Sequence, residues 1–216
     1  MNIGLLLPRH ARFRPDHAAV IFEAQRLTYA QLNRRVNRLA NALLNLGVAK
    51  GDKIATVLPN CLEQLETYWA AAKIGAVVVP LSPLLRGAGL TRLADDADAV
   101  AFITNVDFAP ILTPLKGDLP KLAADRYLLT EIKGGPIPPG YRAYGELTAA
   151  ASAAEPPPVV IDRDDPYNII YSSGTTGLPK GIVHTHYIRG MYATLFANSY
   201  RFTPESVVLH TGSIIF

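Results

Sequence analysis

Three short apolar runs, 53–58 (KIATVL), 76–80 (AVVVP) and 99–104 (AVAFIT), alternate with stretches of helical periodicity, and this alternation constrains the fold most. Runs this short and continuous suit buried strands. Ahead of the first, Leu32, Val36, Leu39, Leu43 and Leu46 recur at steps of four and three, which gives a helix one apolar face. Thr28 and Gln31 form a capping box at its start, Leu27 and Leu32 can close a hydrophobic staple, and Gly47 supplies the stop. A second helix is expected to open at Asn60 and Glu63 and run to about Lys73, with Gly75 at its end; a third covers 90–96. Residues 127–130 read as a further strand. Strands separated by helices predict an α/β fold with a mostly parallel sheet flanked by helices.

Glycines and prolines make 133–144 (KGGPIPPGYRAY) a loop, and an Ala-rich helix follows from about Gly145. Pro156, Pro157 and Pro158 form a stiff connector and mark the best internal boundary, dividing a first α/β portion (1–155) from a second segment (156–216). With 49% hydrophobic and 18% charged residues, the composition excludes long disorder, collagen-like repeats and coiled coils. Charge is uneven: eight basic side chains against two acidic ones in the first fifty residues leave the remainder of a +3 chain slightly acidic. Such a start can be a transit peptide, but three of its arginines (Arg34, Arg35, Arg38) fall within the patterned helix, where a solvated face is the usual reason. No stretch approaches the ~20 apolar residues of a membrane-spanning helix. A single cysteine, Cys61, excludes an internal disulfide framework and points to a reducing, cytoplasmic setting. Cys61 itself reads either as a thiol activated by a helix N-terminus or, more ordinarily, as a small buried residue.

The chemistry concentrates in 167–186 (YNIIYSSGTTGLPKGIVHTH). An apolar strand leads into ten residues that hold three glycines, four hydroxyls and Lys180. Backbone N–H groups of such a loop can curl around an anion, the hydroxyls add donors and the lysine adds a cation, which together suit a triphosphate. The spacing differs from the nucleotide loop G-x-x-x-x-G-K-[ST]. Pro179 and the β-branched Ile182 and Val183 disfavour an immediate helix, so the loop is expected to join two strands as a flap and to be poorly ordered without ligand. His184 and His186 lie two apart and would share a face on a strand, as a metal pair can; Tyr171 and Tyr187 read as packing aromatics.

Residues 172–181 resemble the phosphate loop of the adenylate-forming (AMP-binding) superfamily, [ST]-S-G-[ST]-T-G-x-P-K-G, at every position. Fainter likenesses cover most of the chain: 14–16 (RPD), 27–32 (LTYAQL), 51–54 (GDKI), 58–60 (LPN) and 75–81 (GAVVVPL). The form of the loop and the HTH after it are most similar to fatty-acyl or aryl CoA ligases. The resemblance implies that Ser172, Ser173, Gly174, Thr175, Thr176, Gly177 and Lys180 meet the ATP phosphates, that Ser172 can approach Mg2+, and that Gly177 and Gly181 flex. It implies no metal at the two histidines.

The implied reaction has two halves. A carboxylate attacks the α-phosphate of Mg-ATP, giving acyl-adenylate and pyrophosphate, and the thiol of CoA then displaces AMP. Partners would be ATP, CoA and a fatty or aromatic acid, with no nucleic acid. Relatives also carry an adenine-binding and Mg-binding motif, a ribose-binding Asp and a catalytic lysine in a mobile C-terminal domain, none of which has a counterpart in 1–216. The chain is therefore expected to be part of an N-terminal domain, with the C-terminal domain absent, to contain no catalytic residue, to be inactive alone and to self-associate. The alternatives are a stand-alone nucleotide- or pyrophosphate-binding module, an adenylation domain of another branch, and a packing domain whose loop holds nothing.

Overall fold

The structure, a computed structural model, describes residues 2–130, 137–172 and 179–215. Helix α1 (Leu6–Phe13) precedes an antiparallel hairpin of β1 (Ala18–Phe22) and β2 (Gln25–Thr28). Then follow α2 (Tyr29–Asn45), β3 (Lys53–Val57), α3 (Leu62–Ile74), β4 (Val77–Pro80), α4 (Ala88–Asp96) and β5 (Ala99–Asn105). The rest comprises α5 (Ala109–Leu112), β6 (Tyr127–Thr130), β7 (Arg142–Ala143), α6 (Tyr144–Ala150), β8 (Pro166–Ser172), β9 (Lys180–Thr185) and α7 (His186–Ser199).

Seven strands form one sheet in the order β7-β6-β5-β3-β4-β8-β9. Neighbours are parallel from β7 to β8, and β9 closes the edge antiparallel to β8. Alternate strand residues serve opposite layers, as a period of two requires. Ile54, Val78, Ala101, Ile103 and Leu128 face α2 and α3, whereas Ala55, Val79, Phe102 and Leu129 face α4 and α5. A strand that must bury both faces has no room for polar alternation, hence the unbroken apolar runs. The mostly parallel α/β sheet flanked by helices is the fold expected from the sequence.

Local signals act where the sequence places them. Gln31 N–H donates to Thr28 Oγ1 at 3.2 Å and Thr28 N–H to Gln31 Oε1 at 2.9 Å, completing the capping box of α2. Gly75 ends α3 with φ of 73°, a left-handed value that favours glycine. Cys61 occupies the N-cap of α3, where burial pushes its thiol up to about 12, so the thiolate is disfavoured in spite of the helix end. Within the expected loop at 133–144 the structure adds a strand: Arg142 and Ala143 pair with β6. Two residues are too short to carry a hydrophobic period, so pattern reading passes over them.

Two polar networks tie the layers together. Glu66, 1% exposed, accepts from Arg35 Nε at 2.5 Å and from the Tyr144 hydroxyl at 2.7 Å, joining α2, α3 and α6. Lys73 donates to Asn33 Oδ1 (2.8 Å), Asn37 Oδ1 (2.7 Å) and Glu155 Oε2 (2.5 Å), which fastens the segment after α6 onto α2 and α3. Farther along, Lys50 holds Asp165 at 2.6 Å and the Val160 carbonyl at 2.9 Å, setting the entry to β8. Glu66 and Lys73 are buried charges, and one left without a partner is strongly unfavourable, so their contacts fix the geometry of the layers.

Candidate functional site

Strand β8 runs parallel to β4, so its carboxyl end, Ser172, points to the side of the sheet where open α/β folds gather ligands. The chain reverses and returns as β9, with Ser172 opposite Lys180, Tyr171 opposite Gly181 and Ile170 opposite Ile182. Ser172 and Lys180 therefore lie on two paired strands, and no helix directly follows Lys180, as Pro179 and the β-branched pair after Lys180 foretell. Cross-strand partners share a face, which puts Ser172 and Lys180 on one side of the hairpin and Tyr171 and Gly181 on the other. Ser172 and Lys180 are both exposed. Ser173, Gly174, Thr175, Thr176 and Gly177 lie outside the described residues, as does the expectation that their loop orders only with ligand.

Gly181 is a strand residue, and what it needs is room. A Cβ there would sit 2.9 Å from Ile169 Cγ2 and 3.4 Å from the Tyr171 ring. A side chain at this position would have to displace Ile169 or the Tyr171 ring. Tyr171 packs against the core beneath α4, and its hydroxyl donates to Asp96 Oδ2 at 2.5 Å. Tyr187 instead lies under the Arg163 guanidinium, 4.1 Å from its carbon to the ring centroid. Both tyrosines are packing aromatics; sequence reading missed the polar partner of the first, because 75 residues separate it from Asp96.

A description of the AMP-binding enzyme family matches residues 7–216. This chain belongs to that family. Among relatives of this chain, a long-chain-fatty-acid–CoA ligase of Mycobacterium tuberculosis is 35% identical over 189 residues, 86% of this chain and 35% of the relative. A crotonobetaine/carnitine–CoA ligase of Salmonella enteritidis is 33% identical over 177 residues, 80% of this chain and 34% of the relative. The solved anthranilate CoA ligase AuaEII, in complex with anthranoyl-AMP, superposes with a TM-score of 0.83 at 26% identity, covering 91% of this chain and 37% of that one. The chain thus spans about a third of the length of the relatives it matches.

The two histidines of this chain do not form a strand pair. Thr185 caps α7 by accepting from Ile188 N–H at 3.2 Å, so His184 ends in the sheet and His186 begins a helix. His184 Nδ1 lies 3.5 Å from Arg189 Nη2, and Arg189 Nε donates to Asn168 Oδ1 at 3.2 Å. His186 is fully buried beside the Tyr167 ring (5.5 Å between centroids), and neither ring nitrogen has a hydrogen-bond partner. Among the described residues, no three His, Cys, Asp or Glu side chains come together as metal ligands, and no helix is long and apolar enough to cross a membrane.

Burial lowers the His186 pKa to about 4, below the ~6.5 of an unfolded chain. Between these values the unfolded state binds the extra proton, so stability falls as pH drops through that window and levels off below it. The loss is expected to be on the order of 1–3 kcal/mol from this residue. Urea unfolding at pH 7, 5.5 and 4.5 should show the decline, and His186→Leu should flatten it. An identical pH slope in the variant would refute the assignment.

Proposed function

We propose that this chain is the phosphate-holding part of an ATP-dependent acyl-CoA synthetase, and that the hairpin from Ser172 to Lys180 meets the nucleotide's polyphosphate. The observation that carries the reading is the cross-strand pair of Ser172 and Lys180 at the carboxyl end of β8, with SSGTTGLPKG running between and through them. It places a hydroxyl and a cation side by side and exposed, on the same face, with nothing but glycines, hydroxyls and Leu178-Pro179 in between. Ser172, Ser173, Gly174, Thr175, Thr176, Gly177 and Lys180 are the proposed phosphate contacts.

Chemically, the reaction needs charge neutralised on the phosphates while a carboxylate oxygen attacks the α-phosphorus and the bond to pyrophosphate breaks. Lys180 supplies a fixed cation and the loop's N–H and O–H groups supply donors. Magnesium would supply further neutralising charge on the phosphates, and the Ser172 hydroxyl is the group of this chain that would help hold it. The acyl group then passes to the CoA sulfur and AMP leaves. Relatives named for a long-chain fatty acid, for crotonobetaine or carnitine, and for anthranilate support a small-molecule carboxylic acid, fatty or aromatic, as the third substrate. The same reading takes 1–216 as part of an N-terminal domain, with 156–216 as connector and phosphate segment, in a cytoplasmic enzyme.

Acid-dependent exchange of pyrophosphate into ATP tests this. The complete gene product should catalyse it with at least one member of a panel of fatty and aromatic acids. Residues 1–216 alone should not, because the chain carries no recognisable group for adenine, ribose or the acid, and ordering a loop costs roughly 1–2 kcal/mol per residue. No exchange by the complete protein with any acid would overturn the function, and turnover by 1–216 at a comparable rate would move the active site into this chain.

A further inference from the structure

Among the described residues, the ladder joining β8 to β4 has one pair, Val78 with Asn168. β4 ends at Pro80, while β8 continues four residues past Asn168 to Ser172, roughly 13 Å of strand at ~3.3 Å per residue. Its other neighbour, β9, is the edge strand on that side of the sheet. The last residues of β8 therefore run past the end of β4, where a contact outside the ladder can hold them.

Tyr171 provides one. It stands one residue inside the Ser172–Lys180 pair, its ring lies against Gly181 across the hairpin, and its hydroxyl donates at 2.5 Å to Asp96, the last residue of α4. A glycine in a strand lacks a side chain to pack, and an aromatic ring laid over it restores that contact. Carboxylates are unfavourable in the last turn of a helix, where the backbone presents its negative end. Asp95 and Asp98 near that end have Lys121 as a counter-charge, while Asp96 has the Tyr171 hydroxyl. Burial, with Asp96 and Asp98 adding to it, pushes the phenol above its ordinary range, so it stays a donor.

We propose that Tyr171 is a positioning residue for the phosphate hairpin: bonded to Asp96 and packed on Gly181, it sets where Ser172 and Lys180 leave the sheet. The proposal rests on the phosphate reading given above. A group that only fills the core would affect stability; a group that positions the hairpin affects ATP before the acid.

Steady-state pyrophosphate exchange with the complete gene product separates these. Tyr171→Phe keeps the ring on Gly181 and removes the bond to Asp96. It should raise KM for ATP about five- to tenfold, from a hydrogen bond to a charged group lost at one remove, with KM for the acid within about twofold. Asp96→Ala, a change outside the core, should reproduce the effect, Asp96→Asn should recover most of it by keeping an acceptor, and the double variant should be no worse than either single. Unchanged ATP KM in Tyr171→Phe and Asp96→Ala overturns the proposal, as do multiplying losses in the double variant. Lys180→Ala measured alongside tells which reading fails. If it raises KM for ATP while the other two do not, positioning alone is wrong; if it too is silent, the phosphate reading falls with it.

Discussion

Lys180→Ala in the complete gene product is expected to lower kcat/KM for ATP by about 10- to 100-fold, the ~1.5–3 kcal/mol of a charge-assisted hydrogen bond, without unfolding the protein. The side chain is exposed at the first position of β9, so its loss leaves no cavity and no unpaired buried atom. Surface changes of this kind stay within about 0.5 kcal/mol of stability. Lys180→Arg keeps the charge but changes its shape and reach, and should fall between wild type and alanine. Kinetics beside a melting curve check both halves. An unchanged ATP dependence would remove Lys180 from the phosphate site, and a collapsed melting temperature would make it a structural residue.

The largest effect on stability is expected at Glu66. Its two oxygens accept from Arg35 and from the buried Tyr144 hydroxyl; Glu66→Ala strands the Tyr144 hydroxyl and leaves a void between three helices, while the half-exposed Arg35 guanidinium turns to water. A stranded buried donor and the void together cost on the order of 2–4 kcal/mol. For a chain of this size that is roughly 4–16 °C in Tm. Glu66→Gln retains an acceptor and the volume, so its cost should be smaller. Thermal and urea melts of the two variants decide the matter, and an alanine variant within 1 kcal/mol of wild type would mean that the network holds little of the fold together.

The centre of the sheet was readable because β3, β4, β5 and β6 are buried on both faces. Ile54 and Ala55, or Phe102 and Ile103, serve opposite layers within adjacent positions, and that leaves an apolar run visible without any partner. Helix α2 was readable from its cap, which depends only on Thr28 and Gln31. The hairpin of β1 and β2 was missed although β1 is an apolar run (AAVIF), because its partner carries the exposed Gln25 and Arg26 and neither strand joins the main sheet. Strand β7 is too short for a period. The site divides in the same way. The phosphate loop is a local string, so its chemistry shows in order along the chain; the anchor between Tyr171 and Asp96, the buried ring of His186 and the Glu66 network depend on contacts between distant segments, which no spacing displays.

The most direct measurement is a crystal structure of the complete gene product with ATP bound. The triphosphate is expected at the carboxyl end of β8, within hydrogen-bond reach of the Ser172 hydroxyl and the Lys180 ammonium, with the intervening loop folded over it. Density for the triphosphate elsewhere in the protein, with Ser172 and Lys180 facing solvent, would contradict the assignment of this hairpin to the phosphates of ATP.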